Sequence, residues 1–163
     1  MKSKRLVLLG VLTAAMIAAK EVLAFLPNIE LVTLFVMTFT IALGWDVLYV
    51  IVTFVLVEVL LYGMSSWVLM YLYIWPLLAW ITRLLRRNES VLVWAVTAGG
   101  FGLGFGALCS LTYLFLTGPA GAAAYWFAGI PFDILHGISN FVLVFLLWKP
   151  MTGILNKIEG ETR

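Results

Sequence analysis

Six ionisable side chains interrupt stretches of sequence that are otherwise apolar, and they are the residues best suited to chemistry. They are Lys20, Glu21, Glu30, Glu58, Asp133 and His136. Charged groups are costly inside a bilayer and mark functional sites there. Ammonium, carboxylate and imidazole groups can hold a polar solute by charge and hydrogen bonds, and the same groups can move protons or ligate metals. Their placement therefore decides which of these chemistries the chain supports.

Two spacings indicate that polar and aromatic residues share helical faces. Asp133, His136 and Asn140 fall on one face of a helix, because residues three and four apart are neighbours there. A second set has members four residues apart and is predicted to stack on a planar or apolar part of a ligand. It consists of Trp67, Tyr71 and Trp75, with Trp126 expected at the same level. Both sets predict a polar and aromatic binding site.

Sequence motifs for catalysis and metal binding do not support the other chemistries. The chain has no GxSxG or HExxH pattern and no Walker motif. A single histidine and the single cysteine, Cys109, are few for a transition-metal site. We therefore expect no catalytic residues, no metal and no cofactor, and the protein is predicted not to be an enzyme.

The composition indicates an integral membrane protein. Of 163 residues, 64% are hydrophobic and only 11% are charged, whereas a soluble domain carries about 25% charged residues. The apolar runs lack the alternation of an outer-membrane barrel, which leaves an all-α bundle. The lipid bilayer is thus one partner, and nothing in the net charge of +2 indicates a nucleic acid.

The apolar runs divide the chain into six predicted transmembrane helices within a single domain, residues 1–163. The expected spans are residues 6–26, 29–43, 47–61, 68–85, 91–116 and 130–148. Pro27 is expected to end the first span. The dense glycines of the fifth span predict a close helix contact or a kink.

The basic residues predict the orientation of these spans. Nine of the ten fall at the termini, at the end of the fourth span or just after it, and Lys20 is the exception. The positive-inside rule then places both termini in the cytoplasm. In this topology all six ionisable groups lie in the outer half of the bundle. A channel would need polar groups through its full depth, so we expect capture of an external solute.

Each of these residues also has a structural interpretation that the sequence leaves open. Lys20 can pair with a neighbouring acid, and Glu30 can serve as a favourable charge at a helix N-terminus. Trp67 and Trp126 can belong to an interfacial aromatic belt. His136 can be a satisfied core histidine bonded to Glu58 or Asp133.

Three stretches of the chain carry a resemblance to a known family. They are AAMIAA at residues 14–19, LPNIE at residues 26–30, and GIPFDILH at residues 129–136 with Asn140 after it. With the six-span size, they resemble the substrate-binding S components of energy-coupling factor (ECF) transporters over essentially the whole chain. The Met-His amino terminus of the nickel and cobalt members is absent here, so a bare metal ion is not expected as substrate.

The resemblance implies a function and partners. S components bind a vitamin or related micronutrient at the outer face and associate with a transmembrane coupling subunit and two cytosolic ATPases. The implied substrate-binding residues are Lys20, Glu30, Glu58, Trp67, Tyr71, Trp75, Trp126, Asp133, His136 and Asn140. The implied docking face consists of Ala14, Ala15, Ala18 and Ala19, whose alternative role is packing within the chain. A cobalamin-type substrate is the first expectation and pantothenate the second.

Two other functions remain as alternatives. A structural membrane protein of the cell-elongation machinery, of the MreD-like kind, has a similar size and predicts no ligand. A small membrane enzyme would use Glu58, Asp133 and His136, although no motif in the chain supports it.

Overall fold

The computed structural model describes residues 3–162, with the side chains of residues 159, 161 and 162 left out, and this part of the chain folds into helices without a strand. The six helices are α1 (Ser3–Val22), α2 (Val32–Leu43), α3 (Val47–Tyr62), α4 (Ser66–Leu85), α5 (Val91–Leu103) and α6 (Phe105–Thr162). One 3-10 turn, Gly44–Asp46, joins α2 to α3. The predicted all-α class is confirmed. Lys2 and Arg163, two of the basic residues used to predict orientation, lie outside the described residues.

Three helical stretches are long and apolar enough to cross a membrane. They are Val32–Tyr62, Ser66–Leu85 and Val91–Ile158. Glycines with positive φ interrupt the first and the last of them, Gly44 at +65° and Gly118 at +76°. Only glycine adopts such angles without strain, so the helical path bends sharply at both positions.

Contacts across the bundle give the directions of the helices. Arg5 near the start of α1 bonds Asp46 just before α3, and Lys20 near the end of α1 bonds Glu58 near the end of α3. Helices α1 and α3 therefore run the same way, and α2 returns between them. Beyond Gly118, Asp133 lies beside Gly106 and Tyr125 stacks on Tyr113, so the second part of α6 runs back along the first part and α5.

Helix α2 lies at the centre of the bundle. It packs against α1, α3, α4 and α6, and ten of its twelve residues are buried. A helix that is apolar on every side is expected to be enclosed in this way. Two of its buried hydroxyls are satisfied locally, since Thr38 and Thr40 donate to the carbonyl groups of Leu34 and Val36.

Glycines bring α5 and α6 into direct backbone contact, as the predicted glycine cluster requires. A Cβ atom on Gly102 would lie 2.8 Å from the carbonyl oxygen of His136 and 2.9 Å from Gly137 Cα. The same segment contains the predicted kink, because α5 ends at Leu103 and α6 begins at Phe105. Close contact here fixes the position of His136 relative to α5.

Two predictions about the last third of the chain are wrong. Residues 117–129, expected to be a loop, are helical except at Gly118. Gly118 makes the turn, Pro119 suits the first position of the next helix, and the alanines after it favour helix. The last helix also continues past Trp148, because Leu155 remains buried against the core.

Candidate functional site

The first of two polar clusters, the α1–α3 network, consists of Lys20, Glu21, Glu58 and Tyr62. Lys20 Nζ lies 3.0 Å from Glu21 Oε1 and also bonds Glu58 Oε2. The Tyr62 hydroxyl donates to Glu21, and the Lys20 ammonium lies 4.2 Å from the centre of the Tyr62 ring. Lys20 thus pairs with neighbouring acids, as its structural interpretation predicted. The network ties the ends of α1 and α3 together.

The second cluster, the α2–α6 network, consists of Glu30, Thr33, His136 and Asn140. Glu30 Oε1 lies 3.1 Å from His136 Nε2, and Glu30 Oε2 accepts the backbone N–H of Thr33 at 2.9 Å. Asn140 Nδ2 donates to Thr33 Oγ1 at 3.1 Å. Glu30 therefore serves both as a charge at the start of α2 and as a partner of His136.

The segment between α1 and α2 turns inward, which is why Glu30 reaches His136. Asn28 has a φ of +59°, and its carbonyl oxygen accepts a hydrogen bond from Ser139 at 2.9 Å. Burial alone would raise the pKa of Glu30, but bonds with His136 and Thr33 hold this pKa below its ordinary value. Glu30 is thus a carboxylate at neutral pH.

His136 was expected to bond Glu58 or Asp133 if it was a core histidine, and the structure corrects this partner to Glu30. Helix α6 packs on α2, α4 and α5, whereas Glu58 belongs to α3, which packs on α1, α2 and α4. Asp133 bonds a different partner, since its Oδ1 accepts a hydrogen bond from the backbone N–H of Gly106 at 2.9 Å. His136 therefore faces the start of α2.

A pocket of about 200 Å3 lies between the two networks. Its polar lining includes Lys20, Glu30 and His136, and its aromatic lining consists of Tyr71, Trp75 and Phe105. Aliphatic groups from residues 23–32 complete the wall. By helix rise, Tyr71 and Trp75 are about 8 and 14 Å along α4 from Ser66, so the pocket is recessed below that end of the helix.

Two buried polar atoms of the pocket residues have no hydrogen-bond partner within the described chain. They are Trp75 Nε1 and His136 Nδ1. Buried donors and acceptors are normally satisfied, so each such atom needs an explanation. Both belong to side chains that line the pocket, but neither atom is itself exposed there, so a bound molecule would reach them only after a side-chain rotation.

The aromatic set on α4 forms a ladder of edge-to-face contacts. Trp67 and Tyr71 have ring centres 5.3 Å apart, and Tyr71 and Trp75 have ring centres 5.4 Å apart. Phe105 packs edge-on against His136 at 4.9 Å. These contacts hold the rings in fixed orientations beside the polar wall.

The predicted site residues fall into three groups. Five line the pocket, and they are Lys20, Glu30, Tyr71, Trp75 and His136. Glu58 and Trp67 contact lining residues, through Lys20 and Tyr71. Asp133 and Asn140 lie one contact further away, because they bond Gly106 and Thr33. Trp126 is separate, being 41% exposed and stacked on Phe127.

The predicted docking alanines lie on the outside of α1. Ala14, Ala15 and Ala18 are exposed and Ala19 is half-buried. This side of α1 therefore does not pack within the described chain.

Sequence reasoning missed several residues that build the site. Thr33 follows Glu30 by three residues, a spacing typical of helix starts, and could have been found from it. Phe105 and Ser139 carry no comparable signal, because their roles depend on which helices are neighbours.

Larger grooves of about 400 and 550 Å3 run along α4 and are lined mainly by aliphatic and aromatic side chains. We regard the smaller pocket as the candidate site because it alone of these three joins charged groups to aromatic rings. No group of three or more histidine, cysteine or acidic residues is placed to hold a metal ion among the described residues.

No protein-family model, curated protein or solved structure matches this chain.

Proposed function

We propose that this chain is the S component of an ECF transporter, a subunit that captures a vitamin-like micronutrient at the outer face of a prokaryotic plasma membrane. A transmembrane coupling subunit and two cytosolic ATPases would supply the energy for uptake. One observation carries the proposal. The pocket is lined by the Glu30–His136 pair and the Trp75 ring, and two buried polar atoms of these side chains, Trp75 Nε1 and His136 Nδ1, have no partner in the described chain.

The chain reversals support six spans with both termini in the cytoplasm. Reversal at Gly44 divides the first long apolar stretch in two, and reversal at Gly118 divides the last. With α1 and α4 counted as further spans, we infer six passes. Apart from Lys20, the described basic residues lie near the chain ends, at the end of α4 or just after it. The positive-inside rule therefore favours this side of the bundle as cytoplasmic.

The one-sided distribution of polar groups supports capture rather than conduction. Towards the other end of the bundle the buried residues of α2, α3 and α4 are aliphatic or aromatic, except for threonines such as Thr40 and Thr82. These hydroxyls donate to the carbonyl groups of Val36 and Leu78. They therefore offer no polar path across the bundle.

The volume of the pocket favours a small solute. About 200 Å3 is below the roughly 300–1,000 Å3 typical of pockets for drug-sized ligands. Of the two substrates considered, pantothenate matches this size class and a cobalamin is far larger. The Tyr71 and Trp75 rings would contact the apolar part of the solute, while Trp75 Nε1 and His136 would bond its polar groups.

Native mass spectrometry of the purified protein, followed by binding assays with the retained molecule or with candidate micronutrients, tests this function. Trp75→Phe keeps a ring but removes the N–H donor, so affinity is expected to fall about tenfold for one lost hydrogen bond to a buried group. Trp126→Phe, outside the pocket, is the matched control and should bind normally. A protein that retains and binds no micronutrient would instead favour the structural, MreD-like alternative.

The exposed alanines support a docking face for the coupling subunit. Ala18→Phe should block assembly of the complex while solute binding stays intact, because a bulky ring prevents close helix approach. Leu56→Phe, on an exposed position of α3, is the control for added bulk. Normal assembly of the Ala18→Phe protein would refute this docking role.

A further inference from the structure

Another pocket, separate from the candidate site and from the two grooves along α4, lies where the turn between α2 and α3 meets the end of α4. Its volume is about 400 Å3 and its lining is basic and aromatic, unlike that of the site above. The lining residues are Trp45, Trp80, Arg83, Leu84, Arg86 and Arg87. We refer to it as the arginine pocket. Its location is the end of the bundle that we propose faces the cytoplasm.

The arginine pocket has an uncompensated positive charge. Within the described chain, no carboxylate forms an ion pair with Arg83, Arg86 or Arg87. The nearest acid along the turn, Asp46, is already bonded to Arg5 at 3.0 Å. Three guanidinium groups without an acidic partner indicate that the pocket attracts an anion.

Aromatic contact orients one of these guanidinium groups. Arg83 lies over the Trp45 ring with its Cζ 5.9 Å from the ring centre. The tight turn at Gly44 brings Trp45 to this position. An arginine held against a ring is pre-organised for bidentate contact with a phosphate.

The surroundings of the arginine pocket favour a lipid over a soluble anion. Trp45 and Trp80 are each about half exposed, at 50% and 51%. Further along α3 and α4 the exposed side chains are also apolar, and they include Tyr49, Val52, Leu56, Leu69 and Leu72. This surface would contact acyl chains while the arginines contact a head group, since basic pockets at the cytoplasmic side of membrane helices bind anionic lipids.

We propose that the arginine pocket binds the phosphate head group of an anionic phospholipid of the inner leaflet. The guanidinium groups of Arg83, Arg86 and Arg87 contact the phosphate oxygens, and the indole rings of Trp45 and Trp80 lie at the level of the glycerol. The inference depends on membrane insertion and on the proposed cytoplasmic orientation of this end, and on neither the solute nor the transporter partners. Its failure would therefore leave the proposed function untouched.

The test is native mass spectrometry of the full chain in detergent, titrated with phosphatidylglycerol, cardiolipin or phosphatidylcholine. The wild type should retain the two anionic lipids in preference to phosphatidylcholine. Replacing the three arginines (Arg83→Gln, Arg86→Gln, Arg87→Gln) should weaken retention of phosphatidylglycerol on the order of tenfold or more. Inorganic phosphate at the same concentration should not displace the lipid.

A matched variant removes the same charge from the same end of the bundle. Lys4→Gln, Lys149→Gln and Lys157→Gln replace three exposed lysines outside the pocket and should change retention less than about threefold. Equal losses in the two triple variants, or no loss in either, would overturn the proposal. Unchanged lipid retention with lost assembly of a protein complex would overturn it too, in favour of an acidic partner protein.

Two further variants keep the test decisive if the arginine triple variant does not fold. Arg86→Gln alone changes one exposed side chain and should lower retention about threefold. Trp45→Ala removes the ring under Arg83 and should weaken retention, whereas Trp45→Phe should preserve it. Thermal unfolding without added lipid shows whether each variant is folded, and wild-type retention in both folded variants, Arg86→Gln and Trp45→Ala, would contradict the site.

Discussion

The two polar networks differ in how exposed their side chains are. In the α1–α3 network, the Lys20 and Glu21 side chains are 23% and 35% exposed and Lys20 has two acidic partners, whereas Glu58 is 3% exposed and its Oε1 has no partner among the described residues. In the α2–α6 network, the His136 side chain is only 5% exposed and Nδ1 of the ring has no partner among the described residues. The first network thus joins the ends of two helices. The second is built like a site that a bound molecule completes.

The difference shows that charged residues in one half of a membrane bundle need not share one role. Lys20 contributes to both regions, because it belongs to the α1–α3 network and also lines the pocket. Glu21 and Glu58 hold its ammonium group between the α1–α3 network and the pocket. A solute that contacts Lys20 would therefore affect the bonds between α1 and α3 as well as those in the pocket.

The largest effect on stability is expected from breaking the Glu30–His136 pair. His136→Leu removes the partner of a carboxylate that is 18% exposed and should lower the free energy of unfolding in detergent by about 3 kcal/mol, the lower end of the range for breaking a buried pair. The double variant Glu30→Leu, His136→Leu removes both partners and should recover much of that loss. A loss below about 1 kcal/mol in the single variant would mean that the two networks do not differ in burial as described.

A somewhat smaller effect is expected from separating the helices that hold the α2–α6 network. Gly102→Ala would place a Cβ atom against the backbone of His136 and Gly137, which should cost about 1–3 kcal/mol of stability. The control is Gly100→Ala, where nothing lies within 4 Å of the added atom. Thermal unfolding of the two variants compares them directly, and equal stability would contradict the close approach of α5 and α6.

A third effect concerns the Asn140–Thr33 hydrogen bond, which lies deepest in the α2–α6 network. Asn140→Leu removes the donor to Thr33 and should cost about 1 kcal/mol. The same loss from Thr33→Val, with no further loss in the double variant, would show that the two side chains act as a pair. Additive losses in this cycle would show that they do not.

The smallest effect is expected in the α1–α3 network. Glu21→Gln leaves Lys20 bonded to Glu58 and removes only a partly exposed partner, so stability should fall by less than about 0.5 kcal/mol. The loss should shrink further at high salt, because exposed ion pairs are screened. Denaturation at two salt concentrations measures both effects. A loss as large as that of His136→Leu would mean that the α1–α3 network stabilises the fold as much as the α2–α6 network does.

Local sequence patterns identified most of the residues that now form the site. The spacing of Asp133, His136 and Asn140 predicted a shared helical face, and all three side chains are buried along it. The four-residue spacing of Trp67, Tyr71 and Trp75 predicted that they share a helical face, where their rings now contact one another edge to face. Such patterns follow from the 3.6-residue helical repeat, which the chain carries without reference to any other segment.

The choice of partners was decided by the tertiary structure alone. Whether His136 bonds Glu30, Glu58 or Asp133 depends on which helices are neighbours, and only the packing of α6 on α2 selects Glu30.

The same division holds for the chain as a whole. Composition determined that the chain is helical and apolar enough for a membrane, because too few residues are polar to cover a globule in water. The sequence also supplied the ionisable groups. Tertiary contacts decided that Gly118 alone makes the turn predicted over residues 117–129 and that Glu30 turns inward. Such outcomes depend on long-range packing, which a local residue pattern does not specify.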